Sequence, residues 1–361
     1  MTIQEQHLLL DQQLKGEALL WLKDLIAIPS FSREEQHTAD YIEQLILSKG
    51  LKPERLMNNV WVRNSGFDAS KPTVLLNSHH DTVKPNAGYS LNPFDPIIKG
   101  GKLFGLGSND AGGALVTLLA VFFWLNKQEH LNYNFIFLAS AEEEMSGQNG
   151  VELVLPQLGK INFGIVGEPT QMHLAVAEKG LMVVDCVAQG KSGHAAREEG
   201  ENAIYKALTD IEWCRQYTFE KTSASLGKVK MSVTIINAGV QHNVVPDICR
   251  FTIDVRTTDC YSNEEVLEIM KANLQSEVKA RSTRLNSSSI PINHPLIQAG
   301  IECGRTTYGS PTTSDQALMN FPTLKMGPGD SARSHTADEF IYVQEIKDGI
   351  EMYIKILNKI I

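Results

Sequence analysis

Cysteine is scarce in this 361-residue chain: Cys186, Cys214, Cys249, Cys260 and Cys303 are an odd five, with no CxxC pair among them. Free thiols in a reducing compartment fit that pattern better than a disulfide framework. Basic charge is also in short supply. The net charge is −9 and the pI about 5.6, with no run of Lys and Arg, whereas a phosphate-backbone binder needs a concentrated basic face. Nucleic acid is therefore excluded as a partner. No apolar run reaches the ~20 residues that span a bilayer; the longest, 114–125, reads as a buried core helix, and no membrane association is expected. The opening MTIQEQHLLLDQQLKG lacks the basic start and small-residue cleavage site of a secretory leader. Repeats and low-complexity tracts are missing too, apart from a modest Ser-rich stretch at 286–289. Together these absences lead to the expectation of a soluble cytoplasmic protein.

What is present suits an ordinary globular fold. Apolar residues make up 42% and charged residues 21% of the chain, enough for a core of normal size, and the length suggests about two domains of ~150 residues. Apolar positions at helical spacing predict helices over 18–26, stopped by Pro29, and over 39–48, ended by Gly50. Short apolar runs at 73–76, 135–139, 163–166 and 323–326 read as buried strands. Helices lie between several of them, so the expected core is an α/β sheet covered on both faces. The middle of the chain has a different rhythm: strand 181–188, helix 202–215, strands 229–237 and 248–255, helix 264–274 and strand 277–281. That β-α-β-β-α-β order is ferredoxin-like. The predicted architecture is a two-domain α/β protein, with one domain over 1–176 and 288–361 interrupted by a small α+β domain over 177–287.

Five segments concentrate His and acidic residues just past strand ends or in tight turns. They are NSHHDTVKP (77–85) with His79, His80 and Asp81, and GLGSNDAGG (105–113) with Asp110. ASAEEEMSGQNG (139–150) adds Glu142, Glu143 and Glu144, IVGEPT (165–170) adds Glu168, and GPGDSARSHTADEF (327–340) adds His335. Open α/β sheets bind ligands outside the carboxyl ends of their strands, so these segments are expected to meet at one edge. Imidazole nitrogen and carboxylate oxygen are the donors Zn²⁺ takes when thiolates are absent. Two His and three carboxylates suffice for two metals if one carboxylate bridges, and a metal pair ~3.5–4 Å apart can activate a water while polarising a carbonyl. Such chemistry also needs a carboxylate that is not a ligand, to take the water's proton. The adjacent Glu143 and Glu144 supply one of each, and Asp81, two residues past His79, is placed to accept that ring's other N–H.

In type and order the segments resemble the zinc aminoacylase and carboxypeptidase family, the acetylornithine deacetylase and succinyl-diaminopimelate desuccinylase group. Its signatures run His-x-Asp, Asp in a Gly-rich turn, Glu-Glu, Glu-Pro and a late His. The resemblance covers nearly the whole chain. Within the group, GPGDSARSHTADEF and AEKGLMVVDCVAQGKSGHAA (177–196) are most similar to acetylornithine and acetylcitrulline deacetylases. It implies a zinc-dependent exopeptidase-like α/β catalytic domain carrying an inserted lid and dimerisation domain. It further implies two Zn²⁺, with Co²⁺ as a substitute: His79 and Glu168 on one ion, Glu144 and His335 on the other, and Asp110 bridging. Glu143 is then the general base, and the Asp110–Ala111 peptide is cis. His194, in GKSGHAA (190–196), is implied to stabilise the oxyanion, often from the partner subunit. HNVVPD (242–247) and DVR (254–256) resemble lid segments that meet the substrate's polar end, nominating Asn243 and Arg256, the latter because a guanidinium grips a carboxylate bidentately. PTTSDQAL (311–318) resembles a further pocket loop and nominates Thr313. The implied function is hydrolysis of the amide of an N-acyl amino acid, N-acetylornithine or N-acetylcitrulline, in arginine biosynthesis by a homodimer. Succinyl-diaminopimelate desuccinylase, an N-succinyl-ornithine or -citrulline deacylase, and a dipeptidase are the alternatives within the same chemistry.

Three positions depart from the family pattern. Glu142-Glu143-Glu144 stands where the family usually has Asp-Glu-Glu, which leaves a one-residue shift in register open; the spacing to Gly147 and Gly150 favours Glu143 as base. His80 stands where many relatives carry Thr and receives no role. Arg333 is unusual inside the last motif and is nominated to read the substrate's side chain, its α-carboxylate or a succinyl group. Blander readings stand beside these: Asp81 as a turn cap, Asp110 as a helix N-cap, Arg256 in an ordinary salt bridge, and structural roles for Arg333 and Thr313. His7, His37, His130, His173 and His294 read as incidental. GLGSNDAGG has a rival reading as a nucleotide loop, but its spacing is not GxGxxG and the next strand ends in the Glu cluster rather than in a single ribose-binding acid. A non-enzymatic metal- or amino-acid-binding protein is the other class. Retention of Glu143, needed only for turnover, argues against it.

Overall fold

A computed structural model describes residues 3–361, with side chains from Gln12 onward; Met1, Thr2 and the side chain of His7 lie outside the described residues. The chain forms two compact units, one of residues 1–176, 290–308 and 314–361, the other of residues 177–289 and 309–313. The 309–313 segment, assigned by the sequence reading to the outer domain, thus belongs to the inserted unit.

The first unit is built on a mixed sheet. Its strands lie in the order Glu54–Leu56, Asn59–Arg63, Asn134–Ser140, Thr73–His79, Phe163–Val166, Thr323–Lys325 and Leu174–Glu178. The middle four run parallel. Every residue of Thr73–His79, Asn134–Ser140 and Phe163–Val166 is buried. That is why these strands read as continuous apolar runs: a parallel strand covered on both faces has no solvent side. On one face lies the helix Gly113–Leu125, buried at every position and packed against the helices Ile3–Ile26 and Val343–Leu357. A helix enclosed by neighbours is apolar all round. By length and composition Ser108–Leu125 is apolar enough to cross a membrane, but 89% of it is buried within the fold. The opposite face buries Leu75, Ile136, Leu138 and Val166 with Val151, Val154 and Leu158 of the helix Val151–Leu158. The first helix begins at Ile3, well before the expected start at residue 18.

The second unit holds an antiparallel sheet in the order Lys230–Ala238, Ile248–Arg256, Met182–Gln189, Glu277–Ala280. Numbered along the chain, that order is 2-3-1-4, the ferredoxin-like arrangement. Burial alternates strictly along Met182–Gln189, as a sheet with one covered face requires. The covering helices are Ala203–Gln216 and Asn263–Asn273, whose buried Ala207, Cys214, Val266 and Met270 join the sheet's inward residues. Ser262 and Glu265 close a reciprocal cap on the second helix.

Candidate metal centre

The parallel strands deliver their carboxyl ends to one edge. Thr73–His79 and Asn134–Ser140 run in register, with His79 opposite Ser140. The chain therefore leaves both strands at one level, carrying His79 and Asp81 on one side and Glu143 and Glu144 on the other. Glu168 follows two residues after Phe163–Val166. Asp110 enters from the turn Ser108–Gly112 that begins the buried helix, and its peptide to Ala111 is cis. Gly107 starts that turn at φ +74, where an added Cβ would meet Thr82 Cγ2 at 2.5 Å, so the turn admits only glycine. His335 comes from the loop after the Ser331–Arg333 turn.

His79 is 1% exposed. Its Nδ1 lies 3.0 Å from the Asp81 carbonyl oxygen. A carbonyl only accepts, so Nδ1 carries the proton and Nε2 of the neutral ring is left with a bare lone pair. Nε2 faces Asp110 Oδ1 at 3.4 Å and oxygens of Glu143 and Glu168 at 3.9 Å, and has no hydrogen-bond partner. His335 Nε2 lies 3.0 Å from Glu144 Oε2 and 3.6 Å from Asp110 Oδ2. Asp110 thus turns one oxygen to each histidine. Donor atoms of His79, Asp110 and Glu144 fall within 4.8 Å of one another, as do those of His79, Glu143 and Glu168.

So many charges held this close distort one another. Burial disfavours a charged His79, yet Glu143, Asp110, Asp81 and Glu168 outweigh it and hold the imidazole well above its usual range. Burial, opposed by His79 but reinforced by Glu168, Asp315 and Glu144, pushes the Glu143 carboxyl well above the usual carboxylate range. Burial also lifts Glu168 to about 8, with Asp110 adding to it against His79. His335, bonded to Glu144, is raised to about 9. Asp110 goes the other way, because His79 outweighs its burial. A divalent cation fits this set on three counts: it can replace the proton that the surrounding carboxylates draw onto the partnerless His79 Nε2, it offsets the crowded carboxylates, and the donors are imidazole and carboxylate with no thiolate.

The comparison with known proteins agrees. Residues 75–359 match peptidase family M20/M25/M40. The chain belongs to this family. It is a metallohydrolase, and its curated relatives act on amide bonds. It is 26% identical over 355 residues to the succinyl-diaminopimelate desuccinylase of Corynebacterium glutamicum, covering 93% of this chain and 94% of that one. It is likewise 26% identical over 353 residues to the acetylornithine deacetylase of Proteus mirabilis, covering 88% and 90%. Among solved structures it resembles the dinuclear metal-binding M20 peptidase YXEP of Bacillus subtilis, with a TM-score of 0.72 at 16% identity over 96% of this chain and 98% of that one.

Around the centre of this M20 chain, several side chains hold the donors rather than join them. The Asp81 carboxylate accepts the backbone N–H groups of Glu143 at 3.0 Å and Glu144 at 3.2 Å, and the Ser32 hydroxyl at 2.7 Å. The His79 N–H goes instead to the Asp81 main chain, with the carboxylate oxygen next at 3.4 Å. Glu142 is turned out of the centre: its carboxylate accepts from Asn149, and its N–H donates to Glu35. Glu143 and Glu144 are the two of the run whose carboxylates fall within the donor clusters around His79. His80 spans Asn58 and Thr38, with ring contacts of 2.8 Å and 2.9 Å, and burial lowers it to about 4. Its place is in the wall. Two acidic residues escaped the sequence reading. Asp315 accepts from Asn77 at 2.9 Å and Ser140 at 2.6 Å, joining the ends of two parallel strands, and burial raises it to about 6. Glu339 is raised to about 7 by burial and Asp110, and accepts backbone N–H groups of the Asp110 turn. Glu339 stood inside the His335 segment and Asp315 inside the PTTSDQAL loop, and nothing more in the sequence marked either.

The remaining nominated residues are placed as follows. Arg333 makes two bonds to Glu345, at 2.7 and 2.9 Å, and stacks over Phe340 and Tyr342 at 4.9 and 5.1 Å. The Nη1–Nη2 edge of its guanidinium and its face are thus engaged within the protein. His194, Asn243, Arg256 and Thr313 lie in the second unit. His194 Nδ1 accepts the Ala196 N–H at 3.1 Å, which puts the neutral ring's proton on Nε2. The Asn243 carbonyl accepts from Ala195, and the Thr313 hydroxyl donates to the Lys179 carbonyl at 3.0 Å. Arg256 pairs with Asp254 at 2.9 and 3.1 Å. Burial lowers the nearby Lys179, with the charges of Lys230 and Arg256 adding to the shift.

Proposed function

We propose that this enzyme is a two-zinc deacylase that cuts the amide of a small N-acyl amino acid in the cytoplasm, with N-acetylornithine or N-acetylcitrulline as substrate in arginine biosynthesis. The observation that carries the reading is the Asp110 carboxylate, with one oxygen 3.4 Å from His79 and the other 3.6 Å from His335. His79 and Glu168 would hold one ion, Glu144 and His335 the other, and Asp110 would serve both, with Zn²⁺ or substituted Co²⁺. Such a pair supplies polarisation of the acyl carbonyl and acidification of a water. Glu143, beside both donor sets, takes the proton of the attacking water and passes it to the leaving amine. Asp81 fixes the His79 tautomer through its main chain and the Glu143–Glu144 turn through its carboxylate. His194 donates from Nε2 to the developing oxyanion.

Lys179 and Lys230 beside Arg256 support recognition of a substrate carboxylate at that end of the sheet, where Arg256 is held by Asp254 and Thr313 by the Lys179 carbonyl, while Asn243, next to the strand pair that carries His194, is a separate candidate contact. Engagement of Arg333 with Glu345 removes the cation first in line for a succinyl group and so supports the acetyl reading. For assembly, the edge strand Lys230–Ala238 leaves Ile235 and Ile236 half exposed, and Val240 beyond it is 92% exposed. An unpaired apolar edge of that kind supports a homodimer through the inserted unit.

The test is amine release from zinc-loaded protein, offered acetylornithine, acetylcitrulline, their succinyl counterparts, succinyl-diaminopimelate and several dipeptides in parallel. An acetylated substrate turned over at least tenfold faster than the rest is expected. A succinylated winner would replace the acetyl reading, and absence of hydrolysis across the panel would overturn the deacylase reading.

A further inference from the structure

Glu339 lies four residues beyond His335 and is 2% exposed. Its Oε1 accepts the backbone N–H groups of Asn109 at 2.8 Å and Asp110 at 2.9 Å, and its Oε2 accepts that of Gly107 at 3.0 Å. Its own carbonyl accepts from Gly105 at 3.0 Å. The bonds are reinforced from the other direction. Asn109 Nδ2 donates to the Asp330 carbonyl at 3.0 Å and to Ser334 Oγ at 3.4 Å, while its Oδ1 accepts the Asp330 N–H at 3.0 Å. The turn that presents Asp110 and the loop that presents His335 are therefore one hydrogen-bonded body.

The particular donors matter. Asn109 and Asp110 are consecutive, so their two bonds to one oxygen fix the backbone from which the Asp110 side chain leaves. That side chain must present one oxygen to His79 and the other to His335, at 3.4 and 3.6 Å. Bonds from N–H to a carboxylate are shorter and stronger than those to a neutral acceptor, and two oxygens are needed to serve three separate donors. Glutamine offers only one, and its NH₂ group would meet a backbone N–H head on.

We propose that Glu339 is a positioning residue that fixes Asp110 between His79 and His335, so that the two metal sites form as a pair. The inference rests on the reading of Asp110 as the ligand shared by both ions.

The test compares wild type, D110A and E339Q after chelation. Zn²⁺ is titrated back by calorimetry, bound metal is counted by elemental analysis, and kcat and KM are measured on the winning substrate. Wild type should bind two ions, and D110A should lose at least one. E339Q should fold, as judged by circular dichroism, and bind its weaker ion about 10–100-fold less tightly. Its kcat should fall with metal occupancy while KM changes little. Two wild-type metal affinities in a folded E339Q would overturn the inference, even if the protein melted at a lower temperature, because that is what a purely structural carboxylate would give. Wild type binding fewer than two ions would instead overturn the reading of the centre itself. If E339Q does not fold, E339D, whose shorter arm cannot reach all three donors, is measured in the same way. Unchanged affinities there would be equally fatal.

Discussion

Replacing Glu143 by glutamine should move activity and stability in opposite directions. The change keeps the shape of the side chain and the backbone bond from residue 143 to Asp81, and it leaves the proposed ligands intact. Loss of a positioned general base costs about 10²–10⁴-fold in rate, or roughly 3–5 kcal/mol in the barrier at about 1.4 kcal/mol per decade. The effect on stability follows from the crowding. Burial, with Glu168, Asp315 and Glu144 outweighing His79, holds the Glu143 carboxyl well above the usual range. In the absence of metal the unfolded chain releases that proton more readily than the folded protein does. The residue therefore costs stability, by ~1.4 kcal/mol for each unit by which its pKa is displaced. Glutamine carries no such cost, so metal-free E143Q should melt at a higher temperature than the metal-free parent. The assay pairs steady-state amine release from zinc-loaded protein with elemental analysis and with thermal melting of the chelated protein. Activity within tenfold of the parent at full metal content would refute the assignment of the base. A lower melting point for the chelated variant would refute the electrostatic argument.

Further outcomes are expected on the same reasoning. Metal-free protein should lose stability as the pH rises from about 5 to 9, since Glu168 at about 8, Glu339 at about 7, Asp315 at about 6 and His335 at about 9 all bind protons more tightly folded than unfolded. That stability is complete below their ordinary pKa values and is lost as the pH climbs through the raised ones. Urea unfolding at pH 5.5 and 8.5 measures it, saturating zinc should offset the loss, and a flat metal-free profile would refute it. R333M should cost about 1–3 kcal/mol of stability through the unpaired Glu345 with KM changed less than threefold. Normal stability with a large rise in KM would restore Arg333 as a substrate reader. If His194 acts across a dimer, mixing H194A with E143Q should recover part of the activity through hybrid dimers. No recovery from hybrids shown to form would confine His194 to its own subunit or remove it from catalysis.

The sequence by itself determined the features that depend on neighbours along the chain. Apolar runs such as VLL at 74–76 and FIFLA at 135–139 had to be strands covered on both faces, and the β-α-β-β-α-β rhythm of the middle segment marked its sheet order. The candidate donor groups were legible as well, because residue type and position past a strand end are local properties, while the narrower set of His79, Asp110, Glu144, Glu168 and His335 came from the family resemblance. Only the tertiary structure decided which groups meet. Glu142 turned toward Asn149 while Glu143 and Glu144 faced the centre, and Arg333 met Glu345 and the Phe340 and Tyr342 rings rather than open space. Residues 309–313 joined the inserted unit. Glu339 found Gly107 across 232 positions of chain, and Asp315 found Asn77 across 238. Periodicity and residue type are fixed within a few residues, but the partner of a buried carboxylate is fixed by packing between segments that the sequence keeps far apart.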